Sequence, residues 1–439
     1  MSAFNISRTT RFPLRTSRGL GPVLLLCLIF AFSGLNLQAE SRGIIFRYSY
    51  QPQEQYRILS QVYQELFENG QFLGQSNQLN RIQVTVDSVE QQKPDLAAPR
   101  PWSVDEPMLR AFHRLTYQNS VESINQFQVH QFDRQYTAEF WRDSQGYFDI
   151  GTQYFVPTVQ NVPVFPPTPL APGQTWSAPG LEVHDLRGGY FNLQEPFRFS
   201  MPVTYHYLGT EEKDGLQLEL ISIEYTVYYP TRLPSLPRTN PRLITGYSSQ
   251  LLWWDNEQGR PHSYQDEYEL SLILNDGTIL TFRGTAEARV IDSQPMDRQE
   301  TVATLEKEID ERNLSNVGVR VTDQGIALVL DNIQFLPDSA ALIPGEKTKL
   351  DQIGLILDLF PDRDILVTGH TALAGTAQGR QELSQLRAMV VGQYLLDIGA
   401  RNRDQIMFQG LGAQDPVGDN ATEEGRARNR RVEIMILDN

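Results

Sequence analysis

Cysteine is almost missing from this chain of 439 residues. The single one, Cys27, lies in a segment read below as removable, so disulfides, thiolate catalysis and cysteine-held metals are excluded together. Histidine is sparse: His113, His130, His184, His206, His262 and His370 include no pair at the i, i+4 spacing of a helical zinc site, and His184-Asp185 alone is a weak metal signal. No nucleophile elbow, phosphate-binding loop or dinucleotide fingerprint occurs. Without a convergent acid, base and nucleophile, neither an enzyme nor a cofactor is expected. Basic residues are also short, 38 against 53 acidic ones for a net charge of −15, which argues against nucleic acid, whose phosphates demand clustered Lys and Arg. No apolar run approaches the roughly 20 residues of a spanning helix.

What apolar run there is sits at the start. A basic stretch ending at Arg18 leads into residues 23–32, and Leu37-Gln38-Ala39 then places a small residue where signal peptidase cuts. Residues 1–39 are expected to be an export signal; a retained anchor is the alternative, for which the run is short. Leu24-Leu25-Leu26 before Cys27 do not suit lipidation. Cleavage removes four arginines and no acid, taking the formal charge from −15 to −19.

From residue 40 to 291 the period is two. Leu216-Gln-Leu-Glu-Leu-Ile-Ser-Ile-Glu-Tyr-Thr-Val alternates as a strand with one buried face does. Asn275-Asp276-Gly277 marks a tight hairpin, with Asp-Gly supplying positive φ angles, and Asn69-Gly70 marks another with a longer connection. Proline-rich stretches at 94–107, 156–179 and 230–241 read as extended loops or edges; the region is read as one β domain or as two subdomains with a seam at 156–179. Trp253-Trp254 read as core and rim, with a glycan-stacking platform as the alternative. Near Asp297 the period changes: Val302, Leu305 and Ile309 predict an amphipathic helix over 298–312, inside a helical linker spanning 292–316.

Residues 317–439 alternate strands and helices, which indicates helices packed on a small sheet. Strand signals occur at 319–321, 326–330, 365–367, 405–411 and 432–437. Helices are expected from Pro344, over 380–398 and over 423–429. In the second of these, Leu383, Leu386, Val390, Val391 and Tyr394 share an apolar arc, and Arg387 points into its middle. A guanidinium is rarely buried alone, so Arg387 either meets an internal carboxylate or faces a pocket. Arg426, Arg428, Arg430 and Arg431 beside Glu423 and Glu424 read as surface ion pairs, with an anion site as the alternative.

Four ordered blocks in this stretch resemble the OmpA C-terminal family. They are Phe335-x-x-Asp338-Ser339-Ala340-x-Leu342, Gly369-His370-Thr371, Leu383-Ser384-x-x-Arg387-Ala388 and Gly425-Arg426-Ala427-x-Asn429-Arg430-Arg431-Val432-Glu433-Ile434, with Asn420-x-Thr422 before the last. The resemblance implies a βαβαβ α/β sandwich that binds and does not catalyse. Its partner would be peptidoglycan, held by the diamino acid side chain of the stem peptide. Arg387 would pair with a ligand carboxylate, a geometry that suits a planar fork, while Asp338 and the backbone after Thr371 would complete the site. Ala372 stands where the family carries an Asp. Losing that contact removes about 1.5–3 kcal/mol, or about 10- to 150-fold in affinity, unless Asp338 supplies the charge or the ligand's diamino acid differs.

The expected fold class is therefore α+β multidomain: an antiparallel β-rich region at 40–291, sandwich or barrel-like, then the α/β sandwich at 317–439. The expected function is a non-enzymatic envelope protein of the periplasm, associated with the outer membrane and weakly with peptidoglycan, with other envelope proteins as further candidate partners. The alternative makes residues 43–291 an outer-membrane β-barrel, whose strands would need 9–11 residues with an apolar lipid-facing row.

Overall fold

The computed structural model describes residues 43–92, 100–102, 107–122, 128–187, 191, 193–233, 237–331, 333, 335 and 341–438. The expected export segment and the candidate Asp338 lie outside the described residues.

Alternation builds the larger part of the chain. Strands β1 (Gln55–Glu68), β2 (Gln71–Gln92), β3 (Met108–Glu122) and β4 (His130–Asp143) form one antiparallel meander. Strands β7 (Thr175–His184), β8 (Phe197–Lys213), β9 (Leu216–Pro230), β10 (Pro241–Asp255), β11 (Arg260–Leu274) and β12 (Ile279–Asp292) form another. Pairing of β12 with β1 joins them into a single curled sheet. The short strands β5 (Phe148–Ile150) and β6 (Val159–Gln160) lie on β4 and β7, at the two ends of that sheet. The segment between them bridges the ends: Val183 donates its N–H to the Thr158 carbonyl, and Phe155 meets Tyr136 edge-on at 4.5 Å. The result is barrel-like. Leu115, Phe140, Ile223, Leu252 and Ala288 face inward, while Glu224, Glu267, Arg283 and Glu287 on alternate positions are exposed.

One end is filled by aromatic rings from segments far apart in sequence. Tyr48 meets Trp254 edge-on at 4.9 Å, and Phe165 meets the same indole at 4.8 Å. Trp254 is fully buried and Trp253 nearly so, with the Lys213 ammonium 3.2 Å over the ring of Trp253. Neither offers a free face to a sugar.

Two turns differ from expectation. Asn69-Gly70 is a two-residue turn with no longer connection: both residues take positive φ (50° and 78°), and β2 begins at once at Gln71. The polar run that follows hides this, because β2 lies between β1 and β3 and buries Asn80 and Arg81 with its apolar residues. At Asn275-Asp276-Gly277 only the glycine has positive φ (91°), and Leu274 donates its N–H to the Thr278 carbonyl across a longer loop.

Helix α1 (Arg298–Glu311) starts where Asp297 accepts the N–H groups of Gln299 and Glu300. Its apolar side buries Leu305 and Ile309 in the core of the C-terminal layer. That layer consists of β13 (Val317–Thr322), β14 (Gly325–Asp331), α2 (Pro344–Leu357), β15 (Ile365–Gly369), α3 (Ala377–Asp397), β16 (Ile406–Gly410), α4 (Glu423–Asn429) and β17 (Arg431–Leu437). Helix α3 starts ahead of the expected residue 380 because the Thr376 hydroxyl caps the Gly379 N–H. The sheet runs β13-β14-β17-β15-β16, with β15 and β16 parallel and the other neighbours antiparallel. Leu305, Leu350, Ile353 and Val391 cover one face; Leu366, Met407 and Met435 on the other meet Phe132 of β4.

The two regions share hydrogen bonds and charge. The start of β4 pairs in parallel with β16, Met407 opposite His130. Asp364, 2% exposed, receives Arg81 at 3.0 Å and Arg57 at 3.1 Å, and Arg81 also donates to Ser120 and to the Asp404 carbonyl. A buried carboxylate held by two guanidiniums satisfies the rule that interior charge is paired.

Candidate functional site

The candidate site forms where α3 crosses the end of β15. Gly369 closes that strand, and a Cβ there would lie 2.1 Å from the Ser384 carbonyl oxygen, so the helix rests directly on the strand backbone. Ser384 is fully buried; its hydroxyl donates to the Gln381 carbonyl and accepts the Gly412 N–H. Gly412 in turn accepts the Thr371 N–H at 2.8 Å. The Gly-His-Thr and Leu-Ser-x-x-Arg blocks are thereby locked together, and Arg387 stands one helical turn beyond the lock.

Arg387 is half-buried, and it flanks the buried face of α3 instead of interrupting it: Ser384, Ala388, Val391 and Leu395 form that face, while Leu386 of the expected arc is exposed. Its guanidinium carbon lies 4.8 Å from the centroid of the Phe335 ring, within cation–π range. Its buried Nε has no hydrogen-bond partner, and no carboxylate pairs with it among the described residues. Burial and the Arg430 guanidinium both hold its pKa below the ordinary arginine value. Of the two readings left open by spacing, an internal pair and an open pocket, the described residues supply no pair. Phe335 bridges Leu342 across the segment that carries Asp338.

Thr371 and Ala372 are both buried, and the Thr371 hydroxyl has no hydrogen-bond partner. After them the chain is tied to α4. The Leu373 N–H donates to Asn420 Oδ1 at 2.9 Å, and that oxygen also accepts from Asn429. Asn429 accepts the N–H groups of Val417 and Gly418 and donates to the Gly418 carbonyl. Asn420 and Asn429 are thus the framework of the loop beside Ala372, a role that their place in the motif does not reveal.

Three arginines of the cluster form ion pairs, those of Arg426 and Arg430 at the surface as expected and that of Arg431 in the interior. Arg426 and Arg430 both hold Glu423, at 2.7 and 2.9 Å, which keeps its carboxyl below the usual range. Arg431 is buried between Glu433 and Asp415 at 2.6 and 2.8 Å, and Arg320 also reaches Glu433. His370, Asp415 and Glu433 come together like metal ligands, but these two guanidiniums already neutralise the carboxylates. Burial and Arg431 push His370 down to about 4, so its 3.6 Å approach to Glu433 is not an ion pair at neutral pH.

Comparison with known proteins agrees with the residue pattern. The model of the OmpA family matches residues 334–430. The chain is 39% identical over 104 residues to the peptidoglycan-binding protein ArfA of Mycobacterium tuberculosis, a match covering 24% of this chain and 32% of that protein. It is 35% identical over 126 residues to the probable lipoprotein YiaD of Escherichia coli, covering 28% and 57% respectively. An outer membrane protein of Borrelia burgdorferi B31 of known structure is 37% identical over 28% of this chain and 96% of that one, with a TM-score of 0.24. The chain thus spans between about a third and somewhat over half the length of these two curated relatives. Blocks, packing and matched span coincide: residues 334–430 are a domain of the OmpA family.

Proposed function

We propose that this is an exported, non-enzymatic protein of the cell envelope, divided into a signal at 1–39, a β-rich region at 40–291, a helical connection at 292–316 and the OmpA-like module at 317–439. The module engages peptidoglycan through the diamino acid of the stem peptide, with Arg387 pairing the ligand carboxylate and Asp338 and the backbone at Thr371 and Ala372 completing the pocket. One observation carries the reading: a half-buried guanidinium braced on Phe335 and repelled by Arg430, with no carboxylate of its own among the described residues. A planar oxyanion satisfies such a group. Two relatives with related sequence, ArfA and YiaD, are by name a peptidoglycan-binding protein and a probable lipoprotein, which supports the envelope address.

Ala372 weakens the association, because the family's Asp contact is gone. Sedimentation with purified sacculi tests both claims. Wild type co-sediments, Arg387→Ala loses about 10- to 150-fold in affinity, and Ala372→Asp gains by a similar factor. Equal binding by wild type and Arg387→Ala, with both folded, refutes the site.

The membrane-barrel alternative is disfavoured by the outer face of the curled sheet. Gln265, Glu267, Arg283, Thr285 and Glu287 occupy exposed positions on β11 and β12, where lipid requires an apolar row. The corresponding test is extraction: the mature chain stays soluble and monodisperse without detergent, and dependence on detergent restores the barrel.

A further inference from the structure

The curled sheet is not solid. Between its inward faces lies a cavity of about 310 Å³, at the lower end of the range of small-molecule sites, about 300–1,000 Å³. Its wall is mainly aliphatic and aromatic, with Ile58, Ile82, Leu115, Val227 and Ala288 contributed by five strands. An apolar hollow of this kind is where small barrels hold single ligands.

Its polar groups are unevenly committed. Glu182 accepts from His184 at 2.6 Å and from the Tyr225 hydroxyl at 2.7 Å, so it is already satisfied. Arg142, on β4, lines the same cavity but has only neutral partners. Its guanidinium carbon is 4.1 Å from the Tyr48 ring centroid, Nε donates to Tyr50 Oη at 3.0 Å, and one Nη donates to Tyr56 Oη at 3.4 Å. None of these groups carries the compensating charge. Burial pushes the Tyr48 phenol up to about 12 and Tyr50 well above its ordinary value, so both remain neutral. The neighbouring His113 is pushed down to about 3 by burial and by Arg142 itself. Asp143, next in sequence, is taken: Arg100 holds one oxygen at 2.5 Å, and the N–H groups of Gln145, Gly146 and Tyr147 hold the other. Among the described residues, no carboxylate pairs with Arg142.

A cation braced by rings, lining a mainly apolar hollow and paired to no carboxylate among the described residues, defines a ligand by complement. We propose that the β-rich region binds a small amphipathic carboxylate, its anionic head on Arg142 and its apolar body in the cavity between β1, β2, β3 and β12 on one side and β9, β10 and β11 on the other. At about 30 Å³ per water-sized group, the space admits about ten such groups, so a saturated ten-carbon acid is a suitable probe. The site is separate from Arg387 and independent of the peptidoglycan reading.

The test is calorimetric titration of the purified mature chain with decanoate, decanol and decylamine. Decanoate binds one per chain, about tenfold or more tighter than decanol, and decylamine binds more weakly still. Arg142→Gln brings decanoate and decanol to equal affinity. Ala288→Trp, which fills the hollow without touching Arg142, abolishes binding of both while leaving the melting transition cooperative. Equal affinity of wild type for decanoate and decanol overturns the assignment of the head. Absence of decanoate binding to folded wild type, or binding unchanged in Ala288→Trp, overturns the site. Should Arg142→Gln fail to fold, Arg142→Lys serves in its place: retention of the charge without the planar fork weakens decanoate and leaves decanol unchanged.

Discussion

The C-terminal sheet is buried on both faces, whereas the β-rich sheet has one face in solvent and curls around a hollow. In the first, β15 and β17 have no exposed residue, because helices cover one side and the partner region part of the other. In the second, charged residues alternate with apolar ones along β11 and β12. A sheet packed on both sides has little room for an internal ligand, and the site proposed for it lies where α3 crosses the end of β15, at Arg387. A sheet curled on itself has its proposed site inside. The contrast extends to the arginines. Arg81 at the junction has Asp364, while Arg387 and Arg142 have no carboxylate among the described residues, and these two are the groups to which ligands are assigned.

The strongest way to break the comparison is to separate the regions. Asp364→Ala leaves Arg81 buried without its counter-ion and is expected to cost about 3–5 kcal/mol. All five tryptophans (Trp102, Trp141, Trp176, Trp253 and Trp254) lie in the β-rich region, so fluorescence follows that region alone while far-UV circular dichroism follows both. In Asp364→Ala the two signals should part on urea titration; coincident curves with unchanged midpoints would show that the junction does not hold the regions together.

Next in size is a pH effect confined to the hollow region. Burial pushes the Asp266 carboxyl, which accepts from Ser248, up to about 6. The folded state then keeps this proton to higher pH than the unfolded chain does. Its contribution is favourable near pH 4 and is lost as pH rises to about 6, up to about 3 kcal/mol. Asp266→Asn should therefore be more stable than wild type at pH 7.5 and equal to it at pH 4. His113, His130 and His370 act in the opposite sense. Burial depresses all three, to about 3, 4 and 4, so the unfolded chain takes up protons first as pH falls below about 6.5 and stability drops. Removing Asp266 thus steepens the acid loss measured by urea titration across pH 4 to 7.5.

Gly369→Ala probes the solid region. The added methyl meets the Ser384 backbone and is expected to cost up to about 3 kcal/mol through overpacking. It should lower the circular dichroism midpoint more than the fluorescence midpoint; equal shifts would mean that the strain spreads through the junction. The smallest effect belongs to the exposed Lys307–Glu311 pair on α1. Lys307→Ala should change stability by less than about 0.5 kcal/mol, and a larger change in thermal melting would assign that helix face a partner.

The candidate site was legible to the extent that its logic is local. Arg387 stood out because a charge interrupts the apolar arc that spacing predicts for one helix, and the four motif blocks lie within about a hundred residues. Asn420 and Asn429 were not legible as the support of the loop at Leu373, because their partners lie across a turn and a helix. In the β-rich region, alternation predicted strands and faces, yet the 22-residue β2 was hidden by its polar first half and by a turn shorter than expected. Arg142 carried no signal at all: on β4 it looks like any charged residue in an alternating strand.

Periodicity, turn residues and motif spacing are properties of neighbours along the chain, so they were enough for the α+β class and for the change from a period of two to helices near Asp297, but not for the face of α3 that is buried, which leaves Leu386 exposed and Arg387 at its flank. Which strands close on which, that Asp364 would meet Arg81 from 283 residues away, and that Arg142 would face a hollow and not water depend on long-range pairing. Those contacts are set by the curl of the whole sheet, which no local pattern encodes.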